Sequence, residues 1–158
     1  MERLIDVASC IYNDYYNIYK IKIDEMKLHK LLYFAQRESF IQDGKPLFDS
    51  TFYGWKYGPV LKEIREIYKE DSFIRNVSEN VIMRISHIIK KIFKYYAGKD
   101  SLSLSRLTCG ELSWKNSRIG IPEEVNSDNP MSIDDIRKDA DRIRRRRIFL
   151  SQLKFRTN

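Results

Sequence analysis

Residues 28–59 read LHKLLYFAQRESFIQDGKPLFDSTFYGWKYGP, and the spacing of their apolar side chains changes twice. Leu28, Leu31, Leu32 and Ala35 follow the i, i+3, i+4, i+7 rule of one helical face. Asp24 stands where an N-cap belongs. The helix should stop near Gly44, because Lys45-Pro46 forbids its continuation. In Phe52-Tyr53-Gly54-Trp55-Lys56-Tyr57 the period falls to two. Tyr53, Trp55 and Tyr57 then share one side of an extended or β-hairpin segment near 51–57. Gly58-Pro59 ends that segment, and Pro59 is placed to open a helix, where a missing N–H costs nothing. The helix that follows carries Leu61, Ile64 and Tyr68.

Working outward, residues 2–19 place Leu4, Val7, Ala8, Ile11 and Tyr15 on one helical face. Between 78 and 96, Val81, Ile85, Ile88, Ile92 and Tyr96 mark a stripe, with Ile82, Ile89 and Phe93 beside it. So wide a stripe predicts a helix central to the core, stopped at Gly98. Short helices are expected over 103–108 and around 114–118. Residues 120–130 cluster Gly, Pro, Asn, Ser and Asp and read as a loop. Ser132 caps a last helix with Asp134 and Asp135 in its first turn and an apolar edge of Ile133, Ile136, Ala140, Ile143 and Leu150. There is no internal repeat. The fold class is all-α, a mostly helical bundle with one short extended or hairpin segment. A chain of 158 residues suits one domain: a helical domain over 1–120, then a loop and basic helix over 121–158 packed on the same domain.

Hydrophobic residues make up 42% of the chain, enough for a real core, and no apolar run approaches about 18 residues, so no membrane partner is expected. Acids interrupt the N-terminal apolar residues, which argues against a signal peptide. Cys10 and Cys109 lack CxxC spacing, so neither a disulfide framework nor a zinc site is expected, and a reducing cytoplasm is the simplest compartment. The formal net charge of +7 suits nucleic acid or an acidic protein, although scattered charge is first of all a solvated face.

Catalytic constellations are weak. His29 and His87 are the only histidines, and both sit in helical patterns without a nucleophile motif. Glu25-Met26-Lys27 and the acids Asp134, Asp135 and Asp139 read as helix-end electrostatics rather than as metal ligands. Six glycines form no phosphate loop, so no cofactor is expected and the chain does not read as an enzyme. Two features remain. Arg142 and the run Arg144, Arg145, Arg146, Arg147 span more than one helical turn and point in different directions. They read either as a charged helix end or as a contact surface for phosphates or an acidic partner. No helix-turn-helix pattern accompanies them. Tyr53, Trp55 and Tyr57 are core material by default, yet Lys56 between them and Gly58-Pro59 after them also suit a protein-binding surface.

Three linked blocks, Lys27-Leu28-His29-Lys30-Leu31-Leu32-Tyr33-Phe34-Ala35-Gln36, then Gly44-Lys45-Pro46-Leu47-Phe48, then Gly54-Trp55-Lys56-Tyr57-Gly58-Pro59-Val60, resemble the Panacea domain of SocA-like antitoxins, including phage-associated proteins of the GepA type. The resemblance covers roughly 5–118. It implies a mostly helical fold and an antitoxin that neutralises a cognate toxin by direct protein binding, with hand-over of the toxin to a protease in the SocA type. It also implies that Tyr33, Trp55, Lys56, Tyr57, Gly58, Pro59 and Trp114 belong to the defining motif and are candidates for partner contact. Cys109 stands where the family usually has His, and Ser113 where it usually has Pro, so no role of that His is carried over. The alternative is a small basic nucleic-acid-binding regulator that uses the C-terminal arginines.

Overall fold

The computed structural model describes residues 1–70 and 76–156. In chain order these form α1 (Leu4–Tyr19), α2 (Glu25–Asp43), β1 (Tyr53–Trp55), β2 (Gly58–Val60), α3 (Lys62–Lys69), α4 (Glu79–Ile92), α5 (Ser101–Cys109), α6 (Leu112–Ser117) and α7 (Ile133–Arg156). A π-helical turn, Phe93–Ala97, prolongs α4. The expected mostly helical fold with one short hairpin is what the chain adopts. Of the expected segment 121–158, residues 157 and 158 lie outside the described residues.

The axis of the molecule is α2, which packs against α1, α3, α4, α5, α7 and β2. Its ends form as the sequence implies. Asp24 Oδ1 accepts the Lys27 N–H at 2.8 Å, and Gly44, at φ +69°, caps the C-terminus through its N–H to the Phe40 carbonyl. Every residue of 27–40 is buried. That corrects the expectation that the helix of 78–96 is central. In α4 only one face is covered: Ile85, Ile88, Ile89 and Ile92 are buried, while Ile82 and Met83 are exposed. The isoleucine stripe belongs to an ordinary amphipathic helix. The central helix is the one whose polar side chains also find partners inside.

Gln36 shows how. Its Oε1 accepts the N–H groups of Leu47 and Phe48 at 2.8 and 3.3 Å, and its Nε2 donates to the Phe48 carbonyl at 2.9 Å. A buried side-chain amide thus pairs the backbone where the chain turns back past Pro46.

The hairpin is tighter and lies later than expected. Tyr53 faces Val60, Gly54 faces Pro59, and Trp55 faces Gly58, so Lys56 and Tyr57 form the turn. Pro59 therefore does not open a helix. It sits inside β2, and α3 begins at Lys62 with Leu61 at its N-cap. A two-stranded ribbon has only edges, and an edge strand tolerates a residue without an N–H. Tyr57 likewise leaves the row of Tyr53 and Trp55 and stands exposed at the tip.

Arg118 ties down the loop that follows α6. Its Nη1 donates to the carbonyls of Gly54 and Val125, and its Nη2 to those of Pro122 and Glu123. Ser132 Oγ then accepts the Asp135 N–H at 3.4 Å, close to the expected cap. α7 packs on α2 and α6. Its buried residues are Ile136, Asp139 and Ala140. Ile133 and Leu150, expected on the same apolar edge, are exposed: one precedes and the other follows the part that the body covers. Cys10 and Cys109 are free thiols. Among the described residues no helix is long and apolar enough to cross a membrane.

Candidate partner-binding site

The hairpin closes over the first turns of α2 and leaves a cleft of about 230 Å³ whose lining includes His29, Lys30, Trp55, Tyr57 and Arg65. Its walls are held by a chain of polar contacts. Arg65 pairs with Glu25 at 3.2 Å and lies 4.8 Å from the centre of the Trp55 ring. Glu25 also accepts from His29 Nε2 at 3.2 Å, and that hydrogen bond holds its carboxyl below the usual range, with Arg65 adding to the effect. His29 Nδ1 accepts the Leu61 N–H at 3.2 Å. One ring nitrogen accepts and the other donates, so the ring is neutral, in keeping with burial pushing its pKa down. His29 is thus a structural link from α2 to the start of α3.

Lys30 lies beneath the hairpin, fully buried, and donates to the Pro59 carbonyl at 3.2 Å. Burial pushes its pKa down to about 8. Gly58 passes close by at φ +116°; a Cβ there would meet Thr108 Oγ1 at 2.5 Å and Lys30 Cε at 2.9 Å. Ser105 Oγ donates to the Tyr57 carbonyl, Asn126 Oδ1 accepts the Lys56 N–H at 3.0 Å, and Lys56 Nζ lies 5.0 Å from the Tyr57 ring centre. Trp114 joins the site through its Nε1, which donates to the Trp55 carbonyl at 2.8 Å. Trp55 Nε1 is buried without an acceptor among the described residues. The turn is therefore fixed from below while Tyr57 faces outward.

Tyr33 is not part of this cleft. It is fully buried, edge-on to Phe34 and Phe52, with its hydroxyl 3.0 Å from Ser113 Oγ and 3.2 Å from Asp139 Oδ2. The same carboxylate accepts the N–H groups of Leu112 and Ser113, each at 2.9 Å. Asp139 was expected to serve the dipole of its own helix. It serves another: it caps α6 from α7. Asp134 and Asp135 do occupy the first turn of α7.

The arginines divide. Arg142 donates to Glu111 Oε1 at 3.0 Å, and the buried Arg37 of α2 reaches the same oxygen at 2.8 Å. Arg37 Nη2 also donates to the Tyr96 hydroxyl at 2.6 Å. Burial pushes the Glu111 carboxyl up, against the pull of Arg37 and Arg142. Arg147 takes Glu38 with both terminal nitrogens. Arg144 pairs with Asp141 at 2.8 Å, and Arg145 donates to the Asp141 carbonyl. Arg146 lines an open cleft of about 330 Å³ with Arg37, Arg106 and Arg142. Nothing local in the sequence marks Lys30, Arg37, Glu38, Glu111 and Asp139 as the residues that fasten the site. The available signal was Lys30 and Arg37 at helical spacing within an otherwise apolar stretch. Burial pushes the Cys109 thiol up, against the pull of nearby Lys30. No group of three metal-ligating side chains occurs among the described residues.

Fold and site together define a mostly helical domain that presents an aromatic–basic hairpin locked in place by buried polar pairs. The family described as antitoxin SocA-like, Panacea domain, matches residues 28–115, more than half of the chain, and the chain belongs to that family. Antitoxin SocA of Caulobacter vibrioides (strain NA1000 / CB15N) is 45% identical over 40 residues, which make up 25% of this chain and 21% of that protein. The similarity thus spans about a fifth of that relative's length. No solved structure matches the chain. The family match takes in α2, the hairpin and α5, and ends before α7.

Proposed function

We propose that the chain is an antitoxin that neutralises a cognate toxin by direct protein contact. The observation that carries this reading is the hairpin turn. The carbonyls of its family-motif residues Trp55 and Pro59 are held by Trp114 and Lys30, Gly58 leaves no room for a side chain against Thr108, and Lys56 and Tyr57 stand at the tip. A rigid turn that offers an exposed tyrosine beside a lysine loses little freedom on binding, and tyrosine is enriched among residues that dominate interfaces. The net charge of +7 favours an acidic toxin surface. Co-expression with the product of the neighbouring gene tests this. Wild-type chain restores growth of a poisoned host, and Tyr57→Ala with Lys56→Glu abolishes the rescue while the melting temperature holds. Rescue that survives the double change makes the hairpin structural only. Hand-over to a protease, the SocA mode, predicts in addition that toxin levels fall only in cells that hold the protease.

A second reading rests on the outward arginines of α7. Residues 142–156 contain no Asp or Glu. A nucleic-acid-binding regulator predicts a gel shift that weakens steeply with salt and disappears when Arg144, Arg145 and Arg146 become Ala.

A further inference from the structure

The last turns of α7 carry Ile148, Phe149, Leu150 and Phe155, which are 53%, 59%, 47% and 82% exposed. Successive helical residues are about 100° apart, so Ile148, Phe149 and Leu150 alone sweep roughly 200° of the helix surface. A helix that is apolar around so much of its girth is a helix that something covers. With Leu153 the stretch exposes five large apolar side chains, against four (Tyr16, Ile18, Tyr19 and Ile21) at the end of α1. The charges around it have one sign. Arg144, Arg145, Arg146, Lys154 and Arg156 flank the apolar residues, no acid lies between 142 and 156, and Arg142 and Arg147 are the two arginines turned inward onto Glu111 and Glu38.

This chemistry separates the candidate occupants. A membrane surface covers one face of a helix and leaves the other in water, which does not suit apolar groups spread over such an arc. A phosphate backbone satisfies the arginines and leaves two phenylalanines uncovered. A protein groove with apolar walls and a carboxylate rim satisfies both. We infer that residues 148–156 of α7 dock into an apolar groove rimmed by acidic side chains on the toxin, a second contact beside the hairpin. The inference rests on the antitoxin reading. It also places the contact outside the stretch shared with the family, where a feature matched to one particular toxin belongs.

The test uses the full chain and the purified product of the neighbouring gene. Phe149→Asp with Phe155→Asp should leave the melting temperature unchanged, because both side chains are exposed, and should weaken binding by at least about 30-fold, as loss of an interface hot spot does. Arg145→Glu with Arg156→Glu should slow association and flatten its salt dependence. Wild-type affinity in the phenylalanine variant overturns the inference. So does unchanged toxin affinity when the same variant loses self-association in sedimentation, or loses binding to vesicles of phosphatidylcholine and phosphatidylserine. If the wild-type chain does not bind the toxin, the antitoxin reading fails and this inference with it. If wild type binds, Tyr57→Ala weakens it and the phenylalanine variant does not, this inference fails alone.

Discussion

Arg147 of α7 grips Glu38 of α2 with both terminal nitrogens, at 2.8 and 3.0 Å, across 109 positions of sequence. Glu38 is buried, and its other side-chain partner is Gln42 at 2.8 Å. The hydrogen bond to Glu38 raises the Arg147 pKa. The pair fastens the basic helix to the centre of the fold. Arg147→Ala strands a buried carboxylate and should cost about 3 kcal/mol in urea denaturation, whereas Arg145→Ala should stay within about 0.5 kcal/mol. Arg147→Lys loses the two-pronged geometry and should fall between them. Equal effects at 145 and 147 would mean that the pair contributes nothing beyond a surface charge.

Asp139 is the corresponding anchor for α6. Its carboxylate accepts two backbone N–H groups and the Tyr33 hydroxyl. Asp139→Ala takes the acceptor from the Leu112 and Ser113 N–H groups, while the Tyr33 hydroxyl keeps Ser113 Oγ, and should destabilise by about 3 kcal/mol. Asp139→Asn should recover little, since an amide NH₂ then meets one of the donors. Tyr33→Phe removes the hydroxyl's contacts with both Asp139 and Ser113 Oγ and should cost about 1–2 kcal/mol. Adding it to Asp139→Ala should cost less than the two effects summed. Strict additivity would mean that Tyr33 and Asp139 do not act as a unit.

These anchors explain what could and could not be read in advance. The Leu28, Leu31, Leu32 and Ala35 face and the caps Asp24 and Gly44 are local patterns, and each has the expected role. Lys30, Arg37 and Glu38 are buried although polar, and the groups that satisfy them lie far away in sequence: Pro59 for Lys30, Glu111 for Arg37, Arg147 for Glu38. Periodicity measures polarity and is blind to a distant partner. Pro59 departs from the local expectation for a related reason. A local rule assigned it to a helix start, while pairing with Gly54 keeps it in a strand. The hairpin part of the candidate site was legible in its motif blocks. The buried pairs that hold α6 and α7 to α2 were not, because they join residues 74 to 109 positions apart.

Gly58 and Gly44 both adopt positive φ, at +116° and +69°, but only Gly58 is crowded. A methyl group on Gly44 meets nothing within 4 Å. Gly44→Ala should therefore cost about 1 kcal/mol, the price of the backbone conformation alone. Gly58→Ala adds a clash with Thr108 Oγ1 and Lys30 Cε and should cost about 3 kcal/mol. Thr108→Ala in the Gly58→Ala background should recover part of that loss, although the same change alone removes the bond from Thr108 Oγ1 to the Ser105 carbonyl and destabilises. Similar costs at 44 and 58 would show that Thr108 and Lys30 yield freely.

Lys30 should reveal itself through pH. Burial pushes its pKa from 10.5 down to about 8, despite the opposing pull of Cys109, Asp24 and Glu25. The folded chain disfavours the ammonium, and that penalty is fully present below pH 8. As pH rises from about 8 to 10.5 the unfolded chain binds the extra proton, so this residue's contribution to stability rises by about 3 kcal/mol over the window. The thiols work in the opposite direction. Cys10 is pushed up to about 11 and Cys109 is also raised, so they ionise first in the unfolded chain and lower stability above pH 9. The informative quantity is therefore the difference between wild type and Lys30→Met, which keeps the side-chain bulk without the charge. In denaturant titrations the variant should match or exceed wild type at pH 7.5, because a buried ammonium with one carbonyl partner is poorly compensated. By pH 10 wild type should have gained about 2 kcal/mol relative to the variant. Parallel stability curves would mean that Lys30 keeps an ordinary lysine pKa under the hairpin, with water reaching the ammonium that the fold otherwise buries.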